Sequence, residues 1–139
     1  MKDKILIILG VLIAIIIVII IACAVNKDNE ELANSQKLDL NNNSLSNVTI
    51  DNGLLLENSK VECAGEICII TITATNNTSS NIDMSGYRIS FLDHDNEEVY
   101  WYSGQSIGNV PANSQVNFIL EIPESLTNAK KIVYNDSIY

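Results

Sequence analysis

The chain is poor in the residues that do most enzymatic and nucleic-acid chemistry. It has one histidine, one tryptophan and two prolines in 139 residues, and eight lysines and arginines face 17 aspartates and glutamates. A nucleophilic hydrolase needs a base beside its nucleophile. The lone His94 sits in the acidic run Asp93–Glu98, away from any serine or cysteine motif. Carboxylates are plentiful, but none falls in a recognisable cleft-forming pair. No enzyme is expected, and no cofactor. The scarcity of basic residues excludes a nucleic-acid footprint. It also argues against lying flat on anionic lipid.

What the chain does have is an apolar run from Ile5 to Val25, ILIILGVLIAIIIVIIIACAV, without a charge. Such a run makes about 32 Å of helix, enough for a hydrocarbon core of about 30 Å. Lys2 and Lys4 precede it, and Asn26-Lys27-Asp28-Asn29-Glu30-Glu31 follows. The positive-inside bias then holds the N-terminus in the cytoplasm and exports residues 26–139. Two anchors fit residues 1–25. One is an uncleaved transmembrane helix. The other is a lipoprotein signal peptide ending at Ala22, because Ile20-Ile21-Ala22-Cys23 resembles a bacterial lipobox. That resemblance implies a lipid on the Cys23 sulfur. The run is longer than an ordinary signal-peptide core, which favours the helix.

The exported part keeps six of the basic residues and all the acidic ones but Asp3, a net charge of −10. Asparagine and isoleucine are heavily used, a bias that fits an AT-rich genome of a Gram-positive bacterium. Residues 26–46 are polar, acidic and asparagine-rich without apolar periodicity, and the expectation for them is a flexible stalk. A short helix around Glu30 to Leu40 is the competing reading.

From Asn47 to Tyr139 short apolar runs alternate with turn signals. Val48–Ile50 and Leu54–Leu56 make the first strand or pair. Lys60–Cys63 and Ile67–Asn76 follow, then Gly86–Asp93, Glu97–Ser103, a run near Gln105–Val110, Ser114–Ile122 and Ala129–Asp136. Val116, Phe118, Leu120 and Ile122 should face inward, and Asn117, Ile119 and Glu121 outward. Seven or eight strands without a convincing helix indicate an all-β fold, an immunoglobulin-like antiparallel β-sandwich. Cys63 and Cys68 flank Ala64-Gly65-Glu66-Ile67 and oppose each other in a hairpin, where a disulfide is geometrically allowed. Two buried thiols are the alternative.

Several stretches carry a resemblance. They are Ile70-Thr71-Ile72-Thr73-Ala74-Thr75-Asn76-Asn77, Tyr87-Arg88-Ile89-Ser90-Phe91-Leu92-Asp93 with Asp95-Asn96, Val110-Pro111-Ala112-Asn113, and Phe118-Ile119-Leu120-Glu121-Ile122-Pro123. Together they resemble the telokin-like extracellular domains of Gram-positive lipoproteins, and the FxLYD-type domains are similar. Two turn glycines of that pattern are replaced here by Asn96 and Asn113, which tolerate the same left-handed backbone. The resemblance implies an extracellular immunoglobulin-like fold and supplies no catalytic residue.

Two clusters remain as candidate sites. Asp93 and Asp95 match the first two oxygen positions of a calcium loop, but the glycine and distal glutamate are missing. A solvated hairpin turn is the simpler reading, and no metal site is expected. Tyr100-Trp101-Tyr102 puts two tyrosines on one face and the tryptophan on the other. One face must be core, and the other can offer an aromatic binding surface. The expectation is a membrane-anchored module with its C-terminal domain outside the cell and a protein partner of unknown identity. A domain sensing a cation or cell-wall saccharide, or a passive structural domain, are the alternatives.

Overall fold

The computed structural model describes residues 32–136 together with Ile15. The rest of the apolar run, including Cys23, and residues 26–31 of the expected stalk lie outside the described residues. Among the described residues no helix is long and apolar enough to cross a membrane.

Residues 32–136 fold as an all-β unit of eleven strands. They are β1 Ser35–Asp39, β2 Ser44–Leu45, β3 Val48–Thr49, β4 Leu54–Ala64, β5 Ile67–Asn76 and β6 Ile82–Asp83. These are followed by β7 Tyr87–Leu92, β8 Glu98–Ser103, β9 Asn109–Val110, β10 Ser114–Ile122 and β11 Lys131–Asp136. One antiparallel sheet runs β10-β5-β4-β2-β1-β11-β7-β8, with β3 on β4, and β6 pairs with β9 in a second small sheet. The larger sheet curls on itself. β1 is the joint: Ser35–Lys37 pair with β11, while Leu38 and Asp39 pair with β2. Leu56, Ile70, Ile72, Leu120 and Ile122 from one half share a single core with Ile89, Phe91, Ile132 and Tyr134 from the other. The result is sandwich-like, as the alternation predicted.

The strongest alternation gives the most regular pairing. Phe118, Leu120 and Ile122 of β10 are buried, and Val116 is half-buried behind them. Nine consecutive residues of β10 stay in register with β5. In β4 the buried positions change parity, from Leu54 and Leu56 to Val61. A bulge between Glu57 and Lys60 inserts one residue, and Asn58 takes φ 50° there. The extra residue returns Val61 to the core face. Leu54 to Ala64 is therefore one bent strand where the sequence suggested two.

Two expectations are corrected. The segment 26–46 is not a stalk throughout, because residues 35–45 supply β1 and β2. Gln36 and Leu38 are buried, and β1 lies between β2 and β11 in the strand order. The competing helix around Glu30 to Leu40 is excluded over Ser35–Asp39, which is strand. The segment has too few apolar residues to show a period, and backbone pairing holds it instead. Second, the run near Gln105–Val110 is strand only at β9. Gly104–Ser106 forms a 3-10 turn against another at Met84–Gly86. A Cβ on Gly104 would stand 1.9 Å from the Met84 carbonyl oxygen. Glycine is what permits that approach.

The loop after β5 is organised by a buried asparagine. Asn76 donates through Nδ2 to the carbonyls of Ser80 and Val110. Its Oδ1 accepts from the backbone N–H and the hydroxyl of Thr78. The amide is thus satisfied on both ends, as a buried polar group requires. It fastens the 76–81 loop to β9.

Candidate functional site

Arg88 begins on β7 and Trp101 on β8, and the pairing of these strands brings them together. Ser90 lies opposite Trp101, and Arg88 opposite Ser103. Arg88 and Trp101 are thus diagonal neighbours on the outer face. The Arg88 guanidinium carbon lies 4.4 Å from the Trp101 ring centroid, within cation–π range. The other face of that geometry is an ion pair. Arg88 donates Nη2–H to Glu98 Oε1 at 2.5 Å and Nε–H to Oε2 at 3.3 Å. This two-pronged contact fixes the guanidinium plane. The hydrogen bonds from Arg88 hold the Glu98 carboxyl below its usual range, partly opposed by burial, and Ser90 adds a further donor.

Trp101 remains 49% exposed despite these contacts. Tyr100 and Tyr102 point the other way and pack against the core. Tyr100 meets Phe91 with ring centroids 6.1 Å apart. The aromatic triplet therefore divides as strand alternation requires, and of the three only Trp101 offers an open surface. Sequence reasoning missed Arg88 as its partner and the pairing of Arg88 with Glu98. Ten positions separate them along the chain, and only the β7–β8 hairpin places them side by side.

The acidic turn between β7 and β8 is closed on itself. Asp93 Oδ1 accepts the backbone N–H groups of Asp95 and Glu97, each at 2.9 Å. His94 Nε2 lies 3.0 Å from Asp95 Oδ2. Asn96 takes φ 64° and accepts from Lys131 Nζ at 2.6 Å. Asp93, His94 and Asp95 do lie close enough to share an ion. Asp93 is nevertheless engaged as the turn's own acceptor.

Cys63 and Cys68 form a disulfide, with sulfurs 2.05 Å apart. They are cross-strand partners, and Ala64 pairs with Ile67 inside them. The loop is thus two residues, shorter than the sequence suggested, with Gly65 at φ 64°. This end of the domain carries a cavity of about 470 Å³. Lys37, Asn43, Ser125, Thr127 and Lys130 line it together with the disulfide. Asp39 also lines it, and hydrogen bonds from Asn42 hold its carboxyl below its usual range.

No family model, curated protein or solved structure matches this chain.

Proposed function

We propose that this chain is a membrane-tethered accessory module whose β-sandwich domain binds a protein partner outside the cell. The carrying observation is the Trp101–Arg88–Glu98 arrangement on the outer face of β7 and β8. Tryptophan and arginine are the residues most often responsible for binding energy at protein interfaces. Here the Glu98 carboxylate holds the arginine and the arginine holds the indole, so a partner would meet a surface already ordered. Ordering in advance lowers the entropy cost of association. The apolar run at residues 5–25 supports a membrane location. The lipobox-like Ile20-Ile21-Ala22-Cys23, the charge bias around the run and the resemblance to telokin-like domains support the extracellular side. No residue set of an enzyme supports a catalytic reading.

A second reading rests on the cavity beside the disulfide. Its amide, hydroxyl and ammonium groups suit a small polar ligand such as a cell-wall saccharide.

Crosslinking in intact cells separates the two. The intact chain is compared with Trp101→Ala and with Lys130→Ala, each first checked for an unchanged melting temperature. A protein adduct lost in Trp101→Ala and kept in Lys130→Ala supports the interaction module. An adduct unchanged in both removes the Trp101 surface as its basis. Saccharide binding that is lost only in Lys130→Ala supports the second reading.

A further inference from the structure

The two ends of the strand order differ. β8 is short, begins at Glu98 and carries a register irregularity against β7. These are the usual protections of an edge strand. Of these β10 keeps only a single charge. It is nine residues long, SQVNFILEI, without proline or lysine, and its pairing with β5 is unbroken. Among the described residues it has no strand on its other side. Its one charge is Glu121. Ile119, on its outer face, is 65% exposed, the most of any large apolar residue among those described. Ile69 and Ile67 of β5 are exposed on the same face.

We propose that β10 pairs edge to edge with β10 of a second copy, antiparallel about a two-fold axis at Phe118. The strand is self-complementary in this register, which pairs all nine residues. Glu121, the only charge, falls opposite Gln115 of the second copy and not opposite its own equivalent. An amide can donate to a carboxylate there, whereas two carboxylates would repel. Gln115 spends one N–H on Thr75 Oγ1, at 3.1 Å, and keeps a second. Ile119 falls opposite the partner's Asn117 and diagonal to the partner's Ile119, so the two isoleucines cover each other on the outer face. On the inner face Val116, half-buried in one copy, falls opposite the partner's Leu120. A two-fold interface requires this reciprocity of unlike residues. The pairing leaves Trp101 untouched, since β8 lies at the opposite end of the strand order.

The test uses the full chain in detergent solution, with a photoreactive benzoylphenylalanine at position 117. Illumination should give a covalent dimer whose crosslink maps to the partner's Ile119. Dimer affinity, measured by sedimentation, supplies the second arm. Gln115→Lys should tighten the dimer by about two- to five-fold and Gln115→Glu should weaken it similarly, the size of a cross-strand charge pair. Gln105→Lys and Gln105→Glu, on the exposed 3-10 turn, control for net charge. Ile119→Lys should abolish the crosslink without lowering the melting temperature. The proposal is overturned by a monomer, by a crosslink mapped elsewhere, or by equal effects at positions 115 and 105. Association through the N-terminal apolar run would give that last pattern.

Discussion

Gln36 and Tyr134 stand 98 positions apart and share a hydrogen bond in the core, the tyrosine hydroxyl donating to Oε1 of the amide. Both are fully buried. The bond joins β1, the first strand in chain order among the described residues, to β11, the last. Among the described residues Gln36 Nε2 has no partner, so the amide already carries one cost of burial, which the tyrosine relieves at Oε1. Removal of that hydroxyl in Tyr134→Phe should destabilise the domain by about 1–3 kcal/mol. The double variant Gln36→Leu/Tyr134→Phe should recover part of the loss, because no buried polar atom is then stranded. Urea unfolding of the parent, Gln36→Leu, Tyr134→Phe and the double variant forms the cycle. Additive losses would mean that the bond contributes nothing.

The same tyrosine sets an alkaline limit. Burial pushes its ionisation above the ordinary value of 10.0. A raised acid pKa in the folded state means that the neutral form is favoured by folding. That stability is present below pH 10 and falls as the pH rises past it. The parent should lose stability steeply above pH 10, and Tyr134→Phe should lose it less steeply. Melting temperatures between pH 8 and 11 would show the difference in slope.

β1 makes the segment once expected to be a stalk part of the fold. A chain beginning at Asn47 lacks β1 and β2, and with them the joint between the two halves of the sheet. It should fail to fold, while a chain beginning at Leu32 should melt cooperatively. Circular dichroism against temperature checks both, and a folded 47–139 fragment would overturn the assignment.

The Arg88–Glu98 pair lowers the Glu98 pKa from its usual 4.5. A depressed carboxylate stabilises the folded arrangement above that value and ceases to do so as the pH falls through the folded-state pKa. At this exposed site the pair contributes no more than about 1 kcal/mol, so acid should loosen the indole without unfolding the domain. Trp101 is the single tryptophan, and its fluorescence reports the change directly. The emission of the parent should shift with a midpoint below 4.5, and Glu98→Gln should show the loosened emission at neutral pH.

Reduction of Cys63–Cys68 should have a small effect. The bridge closes a loop of only a few residues, for which chain entropy gives about 2 kcal/mol at most. The paired double serine variant should therefore still fold, with its midpoint in urea modestly lowered. Collapse of the fold would mean that the bridge does more than hold the hairpin.

Much of the architecture was legible because two-residue alternation survives wherever one face is buried. Val116 to Ile122 gave β10 and its inward face, and Tyr87 to Leu92 gave β7. Asn96 and Asn113, at φ 64° and 49°, hold the turns for which they were named. The cysteine hairpin was legible from spacing and parity. The surface around Trp101 was legible only by half. Alternation separates the indole from its neighbouring tyrosines, but nothing local announces that Arg88 will lie over it.

The class of fold, the apolar run, most strand faces and the opposition of Cys63 and Cys68 were thus legible in the chain, because each depends on residues close together, whereas the bond between the two sulfurs is seen only in the structure. Tertiary structure alone decided that residues 35–45 belong to the sheet, that Gln36 meets Tyr134, and which strand is left as the unprotected edge. Those outcomes depend on pairing between distant segments. A polar strand such as Ser35–Asp39 has little periodicity of its own and is held by the backbone groups of its neighbours.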